Sequence, residues 1–395
     1  MEAAHDVSSP TTYEQMKIRA LTECRNGTVP DHDCTTEFLP LSATTKHESH
    51  FNFLFLTKMT NNKSKITKKI LVTGGGGFLG GAIVRRLLKR GDMVHSFSRG
   101  FYPDLADLGV EQFQGDISDK NAVEAVCKDV DLVFHVAAKP GVWGEYSEYF
   151  RINVTGTRNV VAACRKHDVG ALIYTSSPSV IFDGTQMEGV NESAPYPEKF
   201  HAHYPKTKAI AEQSVLRAAK EGLRTIILRP HLIWGPGDNH LVPRILARAE
   251  QLVRVGNGRN LVDTIYIDNA ADAHILAADR LEENPELSGN VYFISQGDSV
   301  PLWDMIDAIL NAGGFGPVRR SMPQKAAWVI GAVLEFVYKT FHISGEPQMT
   351  RFVAKELATA HWFDISAARK DLGYVPGVST EEGLGRLEAW LKTHQ

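Results

Sequence analysis

Between Lys68 and Gly80 the chain reads KKILVTGGGGFLG, a short apolar strand that breaks into four glycines and resumes as a helix. Few folds accept such a run. The expected strand Ile70–Thr73 feeds a tight turn in which Gly74 can take a positive φ and Gly77 lets backbone approach a pyrophosphate. Gly80 then lets the new helix pack closely on the sheet. Free N–H groups and the positive end of the helix dipole hold phosphates without a dedicated lysine. Phe78, Leu79, Ile83, Leu87 and Leu88 recur at helical spacing, Gly91 ends the helix, and Met93–Phe97 reads as a second strand, which completes a βαβ unit. The glycine spacing is T-G-x-x-G-x-x-G rather than G-x-G-x-x-G, and a tight strand-to-helix connection without a ligand would share it. The surrounding pattern supports a dinucleotide, with Gly74, Gly77, Phe78, Leu79 and Gly80 as its expected seat.

The end of the second strand predicts which dinucleotide. An NAD-binding chain usually places a carboxylate there for the ribose hydroxyls, about 20 residues beyond the glycines. Ser98 and Arg99 stand in that place. A 2′-phosphate fits between a hydroxyl and a guanidinium, so the pattern favours NADP(H), with NAD(H) admitted. An exposed, solvated arginine is the plain alternative.

Composition narrows the function classes. With 395 residues, 43% hydrophobic content and a net charge of −3, the chain can bury a large core, and its length suits two domains better than one. That charge offers no basic surface for nucleic acid. Cys24, Cys34, Cys127 and Cys164 form no C-x-x-C pair and are expected to be free thiols in a reducing, cytoplasmic compartment. The histidines have no metal-ligand spacing, so no metal site is expected. The first 58 residues are polar and aperiodic, and their one apolar cluster, Phe51–Leu56, is too short for a membrane span or a signal core. Disorder is expected there, with Met59 a candidate true start and a targeting extension the alternative.

From residue 66 to about 235, strands and helices alternate through short connections, the pattern of an α/β, doubly wound parallel Rossmann sheet. The further expected strands are Gln112–Gln114, Leu132–His135, Ala171–Thr175 and Thr225–Leu228, with helices Lys120–Val126, Tyr146–His167 and Tyr204–Glu221 between them. Residues 236–395 read as a smaller mixed α+β substrate lobe. It is expected to return to the first domain through Asp263–Asp268 and the helix Ala270–Glu282, about residues 263–282 in all. Ligands bind beyond the carboxyl ends of such strands, where Gly115–Asp116, His135–Ala138 and Thr175–Ser177 fall.

The chemistry is expected at Tyr204-Pro-Lys-Thr-Lys208. Residues i and i+4 share a helix face, so the phenol and the ammonium can point into one cleft. A free tyrosine ionises near pH 10, about three units too high for a base at neutrality. A neighbouring cation lowers that value, which predicts that Lys208 tunes Tyr204 into a proton shuttle. Ser177 follows the strand Ala171–Thr175 and could steady a developing alkoxide. Ser176 is its rival, and a serine capping a turn is the plain alternative.

Taken in order, T-G-G-G-G-F-L-G, G-D-I, H-V-A-A, N-V-T-G-T-R-N, Y-T-S-S, Y-P-K-T-K and L-R-P…G-P-G-D resemble the extended short-chain dehydrogenase/reductase superfamily, over residues 66 to about 385. The resemblance implies that Asp116, with Ile117 beside it, contacts the adenine and that Ala137 and Ala138 line the cofactor. It also implies that Ser177, Tyr204 and Lys208 form the catalytic triad, with Lys208 binding the nicotinamide ribose. Y-T-S-S-P-S-V-I-F-D-G and T-R-F-V-A-K-E-L-A-T-A-H-W-F-D-I-S-A-A-R look most like the 3β-hydroxysteroid dehydrogenase group, whose bacterial members include 2-alkyl-3-oxoalkanoate reductases. The implied activity is NAD(P)-dependent interconversion of a secondary alcohol and a ketone on a hydrophobic substrate. A nucleotide-sugar epimerase or dehydratase, and a non-catalytic dinucleotide sensor, are the alternatives.

Ala326–Phe341 is the most apolar late segment, with Trp328, Val329, Ala332, Val333, Phe336 and Val337 at helical spacing. Core packing is the plain expectation; a greasy lid or a peripheral membrane contact is the sharper one. Trp143 is expected to form the opposite wall of the substrate site. The expected partners are a hydrophobic small molecule and, as an option, a second copy in a homodimer.

Overall fold

The computed structural model describes residues 67–394. The expectations for the first 58 residues, for Cys24 and Cys34 and for Met59 lie outside the described residues. The main sheet has seven parallel strands in the spatial order Val291–Ile294, Thr225–Pro230, Ala171–Thr175, Leu132–His135, Lys69–Thr73, Met93–Ser98 and Glu111–Gln114. Along the strand Lys69–Thr73, Ile70 and Val72 enter one core cluster and Leu71 the other. Val133, Leu172 and Ile227 join Leu71, whereas Phe134, Ile173, Ile226 and Leu228 join Ile70. Successive side chains point to opposite faces of a strand, so apolar runs without polar alternation produce a sheet covered on both sides.

The chain order reverses between Lys69–Thr73 and Leu132–His135. Two connections leave that point in opposite directions and open a crevice at the carboxyl ends. Thr73 and His135 are register partners at its lip, and the Gly74 N–H donates to the Phe97 carbonyl at 2.8 Å.

The expected return segment is present as the helix Ile267–Glu283, clamped to the helix Phe78–Arg90 where Arg86 meets Asp268 at 2.8 Å. The seventh strand, Val291–Ile294, is absent from the sequence reading because four apolar residues carry too short a pattern. A second sheet orders Val300–Pro301, Leu261–Val262, His361–Phe363 and Met187–Val190. It brings residues near 361 beside residues near 188, and so to the crevice.

Two elements differ from expectation. The single helix Tyr146–His167 is instead an α-turn, Tyr146–Tyr149, a π-helical segment, Phe150–Thr155, and an α-helix, Gly156–Lys166. The wider turn carries Asn153, whose Oδ1 accepts from the Lys139 N–H at 2.7 Å while its Nδ2 donates to the Lys139 carbonyl at 3.2 Å and to Thr207 Oγ1 at 3.1 Å. The helix Gln324–Thr340 is neither core nor cavity lid. Only Ala327 and Gly331 are buried, and a Cβ on Gly331 would sit 2.6 Å from the Thr350 carbonyl carbon. That close contact presses one narrow face down and leaves Val329, Val333 and Phe336 more than half exposed, at 53%, 55% and 68%. Among the described residues no helix is long and apolar enough to cross a membrane.

Candidate active site

The glycine turn has the geometry a bound pyrophosphate requires. Gly74 has φ +73°, and Cβ atoms added at Gly80 and Gly76 would lie 2.1 Å from the Gly74 carbonyl oxygen and 2.0 Å from the Tyr102 ring. Alanine has no room against the Gly74 backbone at position 80, and at position 76 it would have to displace the Tyr102 ring. Gly77 precedes the helix Phe78–Arg90 with no side-chain cap and no acidic residue in its first turn, so the terminal N–H groups face the crevice unclaimed by side chains. These residues fit a dinucleotide.

Every residue singled out for the site borders one cavity of about 750 Å³: Gly74, Gly77, Phe78, Leu79, Gly80, Ser98, Arg99, Asp116, Ile117, Ala137, Ala138, Ser177, Tyr204 and Lys208. Ser98 Oγ accepts from the Gly76 N–H at 3.3 Å, and Arg99 is exposed at the rim. Asp116 is held by Arg151 at 2.5 Å and by the Ser118 hydroxyl at 2.7 Å. Burial opposes ionisation, but those hydrogen bonds outweigh it and bring the carboxyl down to about 2.

Ala137 and Ala138 are positioned by a buried relay. His135 Nε2 meets Thr157 Oγ1 at 3.0 Å, and that hydroxyl donates to the Asn153 carbonyl at 2.6 Å. Thr157 must therefore accept from His135, which puts the imidazole proton on Nε2. His135 is neutral, since burial lowers its pKa to about 3. Its Nδ1 then accepts from the Thr73 hydroxyl at 2.7 Å, and Thr73 Oγ1 receives the Ala137 N–H at 3.3 Å.

The two serines part company. Ser176 is buried and donates to Glu212, which also takes the Tyr196 hydroxyl at 2.6 Å and Arg229 Nε at 3.1 Å. Ser177 faces the cavity beside Tyr204, and its hydrogen bond to the phenol opposes a larger rise caused by burial. The tuning expected from Lys208 is absent from that balance: the phenol is raised, not lowered. Lys208 Nζ donates to the Tyr174 hydroxyl at 2.9 Å and to the Thr175 carbonyl at 2.6 Å. Burial lowers the lysine to about 7, against the pull of Glu212. A shared helix face placed the two side chains in one cleft without placing them in contact.

Trp143 is not a cavity wall. Gly141 and Val142 border the cavity, while Trp143 turns outward onto Tyr338, edge to face at 6.2 Å. The sequence reading missed Tyr102, His231, Arg244, Glu356 and His361, all of which border the cavity. His231 followed the quoted L-R-P motif, and Glu356 and His361 fell inside the quoted T-R-F-V-A-K-E-L-A-T-A-H-W-F-D segment without being singled out; nothing local marked Tyr102 or Arg244. Cys127 and Cys164 are buried free thiols, and no metal-binding cluster occurs among the described residues.

A nucleotide-seating crevice lined by a Ser, a Tyr and a buried Lys defines an oxidoreductase of the extended short-chain dehydrogenase/reductase class. The fold is shared with a protein titled gox2253, with TM-score 0.68, 27% identity, and coverage of 83% of this chain and 99% of that one. A UDP-glucuronic acid 4-epimerase from Bacillus cereus, solved in complex with NAD, shares the fold at 23% identity and TM-score 0.65, over 82% and 99% of the two chains. The profile of the 3-beta hydroxysteroid dehydrogenase/isomerase family matches residues 71–323, and the chain belongs to that family. It is 50% identical over 325 residues to the 2-alkyl-3-oxoalkanoate reductase of Stenotrophomonas maltophilia, covering 81% of this chain and 98% of that one. It is 36% identical over 332 residues to the decarboxylating sterol-4-alpha-carboxylate 3-dehydrogenase of Schizosaccharomyces pombe, covering 81% and 97%.

Proposed function

We propose that this oxidoreductase interconverts the 3-oxo and 3-hydroxy forms of a 2-alkyl-branched carboxylic acid with a hydrophobic body. The observation that carries this reading is the convergence of Ser177 and Tyr204 on a cavity whose far wall is Phe182, Met187 and Phe352. Both relatives' names describe a substrate whose reacting oxygen sits on the carbon β to a carboxylate, and the reading adopts that shared chemistry. An apolar wall suits an alkyl chain better than a sugar nucleotide.

When bound, the nicotinamide exchanges hydride with the carbonyl carbon. Tyr204 carries its proton at neutral pH, because burial raises its pKa, and gives that proton to the carbonyl oxygen. Ser177 donates a hydrogen bond to the same oxygen as charge develops on it. Lys208, held under Tyr204 by Tyr174 and Thr175, offers its third donor to the ribose. Gly74, Gly77, Phe78, Leu79 and Gly80 seat the pyrophosphate; Asp116 and Ile117 serve the adenine, and Ala137 and Ala138 the cofactor's inner edge.

NADP(H) is the preferred cofactor in this reading, held by Ser98 and Arg99. Two features support it: no carboxylate stands at that place, and the Arg99 guanidinium has no ion pair among the described residues. Residues 66–235 with the return segment then serve the cofactor, and residues 236–395 supply much of the substrate wall. The exposed apolar face of Gln324–Thr340, flanked by exposed Lys325 and Lys339, supports peripheral membrane contact through Ala326–Phe341.

The test is Tyr204→Phe. Turnover of a 2-alkyl-3-hydroxy acid, followed by nicotinamide absorbance, should fall by about 10²–10⁴-fold, the usual scale for lost acid–base catalysis. Cofactor affinity should stay within a few-fold. A variant that turns over at nearly the wild-type rate removes Tyr204 from the chemistry.

A further inference from the structure

Beyond Tyr204 the cavity lining combines Phe182, Met187 and Phe352 with polar groups, among them His231, Asp238, Arg244, Glu356 and His361. Phe182 and Phe352 meet edge to face at 5.8 Å, and Glu356 and Arg244 stand beside them on the same cavity. Glu356 is the last residue of the helix Arg351–Glu356. Its backbone carbonyl accepts from His361 Nε2 at 3.1 Å, but its carboxyl makes no hydrogen bond to protein among the described residues. Its charge reaches Tyr204, whose pKa it helps to raise, and Arg244 pulls in turn on Glu356. Three groups thus lie within electrostatic range along one wall.

Burial outweighs Arg244 and pushes the Glu356 carboxyl up to about 8, so at neutral pH it is an uncharged O–H donor. That carboxyl borders the cavity and meets no protein acceptor among the described residues, so its O–H is available to a ligand there. Arg244 is tied to Glu346 by one terminal nitrogen, and its side chain is 42% exposed. A guanidinium has five N–H donors, so one such pairing leaves others unused.

We propose that Arg244 and Glu356 together form the subsite for the carboxylate borne next to the reacting carbonyl. One carboxylate oxygen takes an Arg244 N–H in a charge-assisted bond and the other takes the Glu356 O–H. The substrate is then fixed at two points, its carboxylate here and its carbonyl oxygen at Ser177 and Tyr204, with the alkyl body against Phe182, Met187 and Phe352. The assignment rests on the alcohol–ketone reading above and adds the group that recognises the acid.

The test compares a 2-alkyl-3-hydroxyalkanoic acid with its methyl ester, in the oxidative direction because β-oxo acids lose carbon dioxide spontaneously. The readout is the ratio of kcat/KM for acid over ester in the full chain. Arg244→Met should lower that ratio at least tenfold, chiefly through KM for the acid, and Arg244→Lys should lower it less. Glu356→Leu should lower it as well, whereas Glu356→Gln, still a neutral donor, should stay within about threefold of wild type. Should Arg244→Met or Glu356→Leu fail to fold, as judged by thermal unfolding, the milder variant at that position decides. An unchanged ratio across both positions overturns the assignment. If wild type oxidises neither compound, the alcohol–ketone reading fails, and calorimetric titration of both into cofactor-loaded protein judges the subsite alone. Tighter binding of the acid that is lost in Arg244→Met supports it; equal binding of acid and ester overturns it.

Discussion

Lys208 donates to the hydroxyl of Tyr174 at 2.9 Å, on the neighbouring sheet strand, and not to Tyr204 one turn earlier on its own helix. The buried ammonium is therefore positioned from the sheet side. Its removal should damage two things at once. Lys208→Met is expected to weaken cofactor binding, because the ribose loses a donor, and to remove the inflection near pH 7 from the pH–rate profile, because burial brings the lysine itself to about 7. Titrating the cofactor and recording kcat/KM from pH 6 to 10 checks both, and unchanged affinity with an unchanged profile would reduce Lys208 to a packing group.

Ser176→Ala and Ser177→Ala should separate stability from rate. Ser176 donates to a carboxylate that also serves Tyr196 and Arg229. Its loss should cost about 1.5–3 kcal/mol of stability, the scale of a hydrogen bond to a charged group, and leave kcat within a few-fold. Ser177→Ala should instead lower kcat by roughly 10²-fold, as for an oxyanion donor, with little change in urea midpoint. The reverse pattern would exchange their roles.

Cofactor preference should turn on the rim. Arg99→Ala is expected to weaken NADPH by about 1.5–3 kcal/mol and to leave NADH nearly unchanged. Ser98→Asp should then invert the preference, because a carboxylate accepts from ribose hydroxyls and repels a 2′-phosphate. Equal losses for both dinucleotides would refute the phosphate contact.

Glu356 should leave its mark on stability against pH. The free carboxyl titrates near 4.5 and the folded one near 8, so between those values the native state holds a proton that the unfolded chain has released. Native stability therefore falls as pH rises through that window, and the penalty is complete above pH 8. Glu356→Gln removes it. The variant should match wild type near pH 4.5 and exceed it by about 1–2 kcal/mol at pH 9, after discounting for partial solvent access. Urea unfolding at the two pH values would show it, and equal gains at both would point to packing instead.

The strand, glycine turn and helix around residue 74, the parallel alternation to about residue 230, and the candidate site from Gly74 to Lys208 were legible without coordinates. Each depends on backbone conformation or on spacing within a few residues, which local sequence encodes directly. Asn153 was visible only as part of a motif, because a π-helical turn changes register by one residue and leaves the apolar periodicity almost intact. The exposure of Gln324–Thr340 was misread for a related reason: periodicity reports which residues share a face, and the close approach of Gly331 to Thr350 decides how little of that face is covered.

What the tertiary structure alone decided are the contacts between distant segments. The choice of Ser177 over Ser176 depends on where Glu212 points, and the partner of Lys208 lies across the sheet at Tyr174. Glu356 and His361 reach the cavity where His361–Phe363 pairs beside Met187–Val190, a juxtaposition of residues more than 170 positions apart. Sequence by itself determined a dinucleotide-binding strand, turn and helix and a tyrosine and lysine on one helix face, since those features need only local geometry. Which protons those side chains hold, and what part of a substrate meets them, follows from burial and from neighbours that only the packed fold brings together.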